Sequence, residues 1–333
     1  MLLAACAITT TGTLPRPAPA VPRSQPLPEV VAPPAPALAP AVEAQVPSPP
    51  PAPPPDVTVP TYLPAGVHEH EVVVDGLTRR WTTVVPASPE GAAPNGIVIV
   101  LHGVGARGLE MRSTGLEPLA ASQRLVFAYP DAFGGAWNDG RPGADPVVPG
   151  VVVNDTGFLR RLIEETSAKT GADARRVAVV GFSNGAIMAS RVACDLADRV
   201  AAVAVIAGSA GQGFEQSCRP ARPVAVMLVA GSADRTVPYA GGKVADWGTK
   251  RRGFVAPAED VFAFWRAQSG CATTQPAPGP ASANGLRGAD CRSEAAVVRY
   301  RITGGIHEWF RPPLFDTTAA VWDFVGKRLS SVA

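Results

Sequence analysis

Arg176-Val177-Ala178-Val179-Val180-Gly181-Phe182-Ser183-Asn184-Gly185 opens as an apolar run and closes on a serine bracketed by glycines. An uninterrupted apolar run of this length reads as a strand buried on both faces of a parallel sheet. A helical pattern follows over Asn184 to Leu196, so Ser183 is predicted on a tight turn between strand and helix. The glycines have a steric cause. A serine held at a strained φ on such an elbow needs near-absent side chains two residues either side, where the strand and helix backbones almost touch.

The surrounding chain repeats this alternation. Ile97 to Leu101, Leu125 to Tyr129, Val200 to Ala207 and Val224 to Ala230 are further apolar runs, with a weaker one at Ala295 to Ile302. Asp155 reads as a helix N-cap, after which Phe158, Leu159, Leu162 and Ile163 share one face opposite Glu164, Glu165 and Lys169. Another helix is expected over Asp316 to Leu329. Upstream, Glu69 to Val74 and Leu77 to Val85 flank Asp75-Gly76, a strong hairpin signal. The prediction is a mostly parallel, doubly wound α/β sheet opened by an antiparallel hairpin, with functional groups beyond the carboxyl ends of the strands.

Hydrophobic residues make up 46% of the 333 positions and charged residues 17%, which excludes disorder for most of the length. A net charge of +2, without a Lys/Arg run of five, excludes a partner held by phosphate neutralisation, so no nucleic-acid binding is expected. No run of 18 apolar residues occurs. Eighteen of the 36 prolines fall in the first 60 residues, which have no aromatic side chain and only five charged ones. Residues 7–61 are therefore read as a Pro/Ala-rich disordered tether, able to reach on the order of 150 Å at about 3.1 Å per residue, and 62–333 as one catalytic domain. Ahead of the tether, Leu3-Ala4-Ala5-Cys6 resembles a bacterial lipoprotein processing box. The resemblance makes residues 1–6 a remnant of a lipoprotein signal, with Cys6 lipidated and the protein exported and anchored at the cell surface or on the periplasmic side.

The even number of cysteines in the globular part suits two local disulfides, with Cys194 and Cys218 separated by 24 residues and Cys271 and Cys291 by 20. Four buried free thiols are the alternative. The Thr/Pro/Gly/Ala-rich stretch between Cys271 and Cys291 has little to pack, so a staple there makes physical sense. No CxxC or HxxxH spacing suggests zinc, and neither a metal nor a cofactor is expected.

A serine hydroxyl is a poor nucleophile until a base takes its proton and a carboxylate orients that base. In a strand-elbow-helix setting the chain order is serine, acid, histidine. Of the four histidines, His68, His70, His102 and His307, only His307 follows Ser183. Asp234 is the candidate acid: it lies four residues beyond the run ending at Ala230, whereas Asp195, Asp198, Asp246, Asp260, Asp316 and Asp323 fall in predicted helices, caps or polar loops. Acyl transfer also needs donors aimed at an oxyanion. The small residues of Leu101-His102-Gly103-Val104-Gly105 nominate the Val104 N–H, and the elbow nominates that of Asn184 at a helix N-terminus. His102, preceding the serine, cannot be the base in this order and is read as structural at the pocket wall.

Six segments together resemble the secreted polyhydroxybutyrate depolymerase and feruloyl esterase group of α/β-hydrolases. They are Leu101-His102-Gly103; Tyr129-Pro130-Asp131 with Trp137-Asn138-Asp139-Gly140; Asn154 to Leu159; Gly181 to Gly185; Ala233 to Tyr239; and Gly304-Gly305-Ile306-His307-Glu308-Trp309. The resemblance implies a serine esterase with Ser183, Asp234 and His307 as triad, a pocket that includes His102, Trp137 and Trp309, and disulfides Cys194–Cys218 and Cys271–Cys291. Departures cluster at the pocket mouth: Ala230-Gly231 where the group has His-Gly, Ile306 in place of a third glycine, and Glu308 and Phe310 beside Trp309. The expected function is an extracellular ester hydrolase for a polyhydroxybutyrate-type polyester or its oligomers, with a small or oligomeric ester as its partner and no protein partner. A feruloyl or acetylxylan esterase is the alternative. An acyltransferase or peptidase, and a non-catalytic surface binding protein, stand further off.

Overall fold

A computed structural model describes residues 62–88 and 92–330; Cys6 and the tether at 7–61 lie outside them. Among the described residues, six strands run parallel: β3 (Gly96–Leu101), β4 (Leu125–Pro130), β5 (Val177–Phe182), β6 (Ala202–Ile206), β7 (Ala225–Gly231) and β12 (Val297–Ile302). On one side the predicted hairpin, β1 (Gly66–Val74) and β2 (Leu77–Val85), joins antiparallel to β4. On the other, β11 (Ala283–Ala289) and β10 (Thr273–Pro276) extend the sheet antiparallel beyond β12. The order across the ten strands is β1-β2-β4-β3-β5-β6-β7-β12-β11-β10. The chain leaves β3 for β4 on one side and returns to β5 on the other, so the crevice beside the β3 and β5 carboxyl ends is the switch point of the sheet.

The continuous apolar runs follow from having two covered faces. Ile97, Ile99 and Leu101 point to a layer holding α2 (Asp155–Thr170), α3 (Asn184–Asp195) and α5 (Ala258–Gln268). Val98 and Val100 point to the opposite layer, under α1 (Leu116–Ala120) and α6 (Thr317–Ser330). Among the described residues there are also a short helix, α4 (Phe214–Ser217), and a two-stranded ribbon, β8 (Gly242–Lys243) with β9 (Phe254–Val255).

Two sequence expectations change. The cap of α2 is Asn154, whose Oδ1 accepts the Gly157 N–H at 2.8 Å. Asp155 is the first helical residue and is fully buried, paired with the buried Arg79. The stretch between Cys271 and Cys291, read as having little to pack, forms β10 and β11, because the open edge of β12 supplies the ladder (Ala283 to Ile302, Leu286 to Arg299) whatever the weak local propensity. Both disulfides are present, Cys194–Cys218 and Cys271–Cys291.

Two histidines, His70 half-buried and His102 buried, give the fold a pH dependence. His70 stacks on Trp81 with ring centres 4.9 Å apart, and burial, with Lys169 nearby, lowers its pKa to about 4. Burial also lowers that of His102. In the unfolded chain both titrate near about 6.5, so the unfolded state binds more protons below that pH. The contribution of His70 is therefore full above about 6.5 and declines as the pH falls toward about 4, and that of His102 is lost in the same direction. The thermal midpoint is expected to drop between pH 7.5 and 4.5, and less steeply in His70→Gln. Equal slopes for the two proteins would remove His70 from the account.

Candidate active site

The steric argument for the elbow holds at atomic distance. Ser183, between β5 and α3, has φ 56° and ψ −120°. A Cβ on Gly181 would stand 2.1 Å from the Gly185 carbonyl oxygen, and one on Gly185 would stand 2.4 Å from that of Leu101. These approaches bring the start of α3 against the end of β3 and put the loop after β3 beside the serine. The Ser183 N–H is held by the Ile206 carbonyl at 3.0 Å, which leaves the side chain on the crevice side.

The three residues expected to cooperate are brought together from separate loops. The Ser183 hydroxyl donates to His307 Nε2 at 2.9 Å, and His307 Nδ1–H donates to Asp234 Oδ2 at 2.7 Å. Asp234 has a fully buried side chain, and its other oxygen accepts the N–H groups of Thr236 and Val237 at 2.8 and 2.9 Å. Its orientation is thus fixed from both sides. The acid and histidine loops are locked to one another: Ala233 N–H donates to the Gly305 carbonyl at 2.9 Å, and a Cβ on Gly231 would stand 2.1 Å from that same oxygen. Glycine at 231 is therefore a packing requirement of the His307 loop. The His307 ring lies 5.3 Å from that of Phe182 and remains partly open to the crevice.

Over Ser183 lies a cavity of about 540 Å³, lined among others by Val104, Met111, Asn184, Val237 and Trp309. The Val104 and Asn184 N–H groups have no acceptor among the described residues. Trp309 is fixed by donating Nε1–H to Thr318 Oγ1 at 2.9 Å.

His102 and Trp137, both expected at the pocket, are not among the residues lining this cavity, while Trp137 lines a neighbouring one. Both are buried beneath the cavity over Ser183. His102 Nε2 accepts the Ala132 N–H at 3.0 Å and its Nδ1–H donates to the Gly103 carbonyl at 2.6 Å, the neutral tautomer that burial favours. Trp137 donates Nε1–H to the His102 carbonyl at 3.0 Å and its N–H to Asn184 Oδ1 at 2.7 Å. The pair braces the backbones that carry the Val104 and Asn184 N–H groups. The physical reason is volume: two aromatic rings between β3 and the Trp137 loop fill the space that sequence spacing could only assign to the neighbourhood of the serine.

Residues missed in the sequence are Asp139, Arg141, Trp247 and Arg252. Asp139 is buried, accepts from Asn184 Nδ2 at 2.7 Å and lies 3.0 Å from Arg141 Nη2. Burial pushes its carboxyl up from the usual range, against the pull of Arg141. Arg141, Trp247 and Arg252 line both the cavity above Ser183 and an adjoining one of about 300 Å³. Sequence carries a weak signal for Asp139, inside a resembling segment, and none for Arg252, more than 100 residues away from it.

No protein-family profile matches the chain. NocK of Nocardia uniformis subsp. tsuyamanensis, named as an esterase, is 31% identical over 277 residues, covering 74% of this chain and 77% of the relative. Feruloyl esterase B of Piromyces equi is 31% identical over 194 residues, and feruloyl esterase D of Neurospora crassa 26% over 183. These alignments take in 34% and 58% of the two feruloyl esterases, so the chain spans well under two thirds of their length. Among solved structures, acetyl xylan esterase from Aspergillus awamori superposes with a TM-score of 0.53 at 15% identity, covering 78% of this chain and 99% of that one. A cold-adapted esterase from an Arctic intertidal metagenomic library gives 0.52 at 13% identity, over 79% and 93%. The structures share the fold, and the extent and identity of the NocK alignment place the chain by sequence: it belongs to the esterase family of α/β-hydrolases.

Proposed function

We propose that the protein is a serine carboxylic ester hydrolase that works through an acyl-enzyme, with Ser183 as nucleophile, His307 as base and Asp234 as the group that orients it. The observation that carries this is the chain of two hydrogen bonds, 2.9 and 2.7 Å, from Ser183 Oγ through the imidazole to a fully buried carboxylate. His307 takes the Ser183 proton as the hydroxyl attacks the ester carbonyl, and Asp234 stabilises the imidazolium. The N–H groups of Val104 and Asn184 receive the oxyanion, the latter at the N-terminus of α3 where the helix dipole favours negative charge. His307 then protonates the departing alcohol and activates the water that releases the acid.

For the substrate, the reading is an oligomer of the polyhydroxybutyrate type. Val104, Met111, Val237 and Val244 give the cavity aliphatic walls, and its volume exceeds what an acetyl group needs. A second reading, a feruloyl ester, is favoured by the names of two relatives. Both readings go with an exported protein, for which the two disulfides speak because such bonds persist in oxidising compartments. The anchor at Cys6 belongs to the same proposal.

The test is product release by the full chain from 3-hydroxybutyrate oligomers and from methyl ferulate, with fluorophosphonate labelling in parallel. Labelling is expected in the parent and absent in Ser183→Ala. Label that persists in the variant would refute the nucleophile, and faster release from ferulate would replace the first substrate reading by the second.

A further inference from the structure

Arg141 and Arg252 both line the wall shared by the two cavities, and the carboxylate paired with Arg141 there is the buried Asp139. Arg141 has a side chain only 4% exposed, with Nη2 set 3.0 Å from Asp139 Oδ2. That carboxylate is further occupied by the Asn184 amide and by the Arg141 N–H. Arg252, half-buried, lies 5.8 Å from the centre of the Trp247 ring, and its guanidinium has no hydrogen bond or ion pair among the described residues. The remaining charges on the cavity wall are committed elsewhere. Glu110 accepts the Arg107 N–H, Asp246 takes Lys243 Nζ at 2.6 Å and the Arg252 backbone N–H at 3.3 Å, and Arg311 donates to the Ser113 carbonyl. The Arg252 guanidinium therefore has no carboxylate within ion-pair distance among the described residues, and Asp139 offsets its charge only at longer range, in a partly desolvated wall where an ion without a close partner is costly. Its environment shows that cost: burial, with Arg141 beside it, pushes the Arg252 guanidinium down from its usual range.

We infer that Arg252, backed by Arg141, is a carboxylate-recognition subsite, and that the preferred esters carry a free carboxylate remote from the scissile carbonyl. The inference rests on the esterase reading above. A guanidinium fork matches a carboxylate in shape and charge, the Trp247 face beside Arg252 offers an apolar wall to the connecting atoms, and the acid end of a hydroxyacid oligomer is a group of this kind. The subsite lies on the wall of the cavity that holds Ser183, so a short ester can present its carbonyl to the serine and its acid end to the arginines.

The test uses the full chain with 4-nitrophenyl acetate turnover as reporter. Two competitors are compared, the linear dimer of 3-hydroxybutyrate as the free acid and the same dimer as its terminal primary amide, which is neutral and nearly isosteric. The acid is expected to compete at a concentration at least about 10-fold lower than the amide, in line with a charge-assisted hydrogen bond. In Arg252→Gln the two constants should come within about 2-fold of each other, and Arg252→Lys, which keeps the charge but loses the fork, should retain part of the gap. Equal constants in the parent, or a gap that survives in Arg252→Gln, would overturn the subsite while leaving the esterase intact. Failure to hydrolyse the reporter at all would instead sink the esterase reading, and the subsite with it.

Discussion

Ser183→Ala is expected to lower kcat by at least about 10³-fold without changing the unfolding transition. The substitution removes one oxygen and nothing that supports the elbow. The Ser183 backbone keeps its bonds, the N–H to Ile206 and the carbonyl from Ala186, each at 3.0 Å. The tight contacts at Gly181 and Gly185 involve backbone alone on both sides, and alanine meets the same positive φ as serine. His307 and Asp234 remain hydrogen-bonded at 2.7 Å, so the base is in place with no proton to take. Any residual rate comes from the N–H groups of Val104 and Asn184 and from positioning of the ester. His307→Ala should give a loss of similar size, since groups that act as a unit do not contribute additively. A Ser183→Ala protein that keeps a tenth of the parental rate would defeat the assignment.

Asp155→Ala is expected to cost about 3–5 kcal/mol of stability, because it strands a buried cation. Arg79 is 1% exposed; its Nη2 donates to Asp155 Oδ1, and its guanidinium lies 4.1 Å from the centre of the Phe158 ring. Burial raises the Asp155 pKa, while Arg79 and the Asn138 N–H, 2.6 Å from Oδ2, oppose that shift. Without the carboxylate Arg79 keeps its charge, having no accessible neutral form. The loss should reach the site as well: Asn138 lies between Trp137 and Asp139, the two residues that hold the Asn184 side chain. Arg79→Met combined with Asp155→Ala removes both charges and should recover most of the lost stability. Urea denaturation of the three variants decides the matter, and a loss below about 1 kcal/mol in the single variant would contradict a buried, compensated pair.

The two predictions separate what local sequence specifies from what packing adds. The elbow was legible because its constraint is local: strand, serine and helix are contiguous, and glycines at 181 and 185 relieve contacts whose consequence is written within five residues. His307 was legible by elimination, and Asp234 by its distance from the end of β7. The central strands were legible because both faces are covered, so their runs are apolar throughout. Strands β10 and β11 were not, since their ladder is provided by β12 and their own residues carry little β preference.

Sequence by itself therefore determined the central alternation of strands and helices with its opening hairpin, the serine elbow and the pool of acid and base, all of which depend on periodicity or on near neighbours along the chain. Tertiary structure alone decided that His102 and Trp137 brace the site from below, that Asp155 balances Arg79 across 76 residues, and that Arg141 and Arg252 share one wall. Those relations are set by which side chains fill a common volume after the sheet closes. A residue's own spacing along the chain carries no record of the partner that will occupy the space beside it.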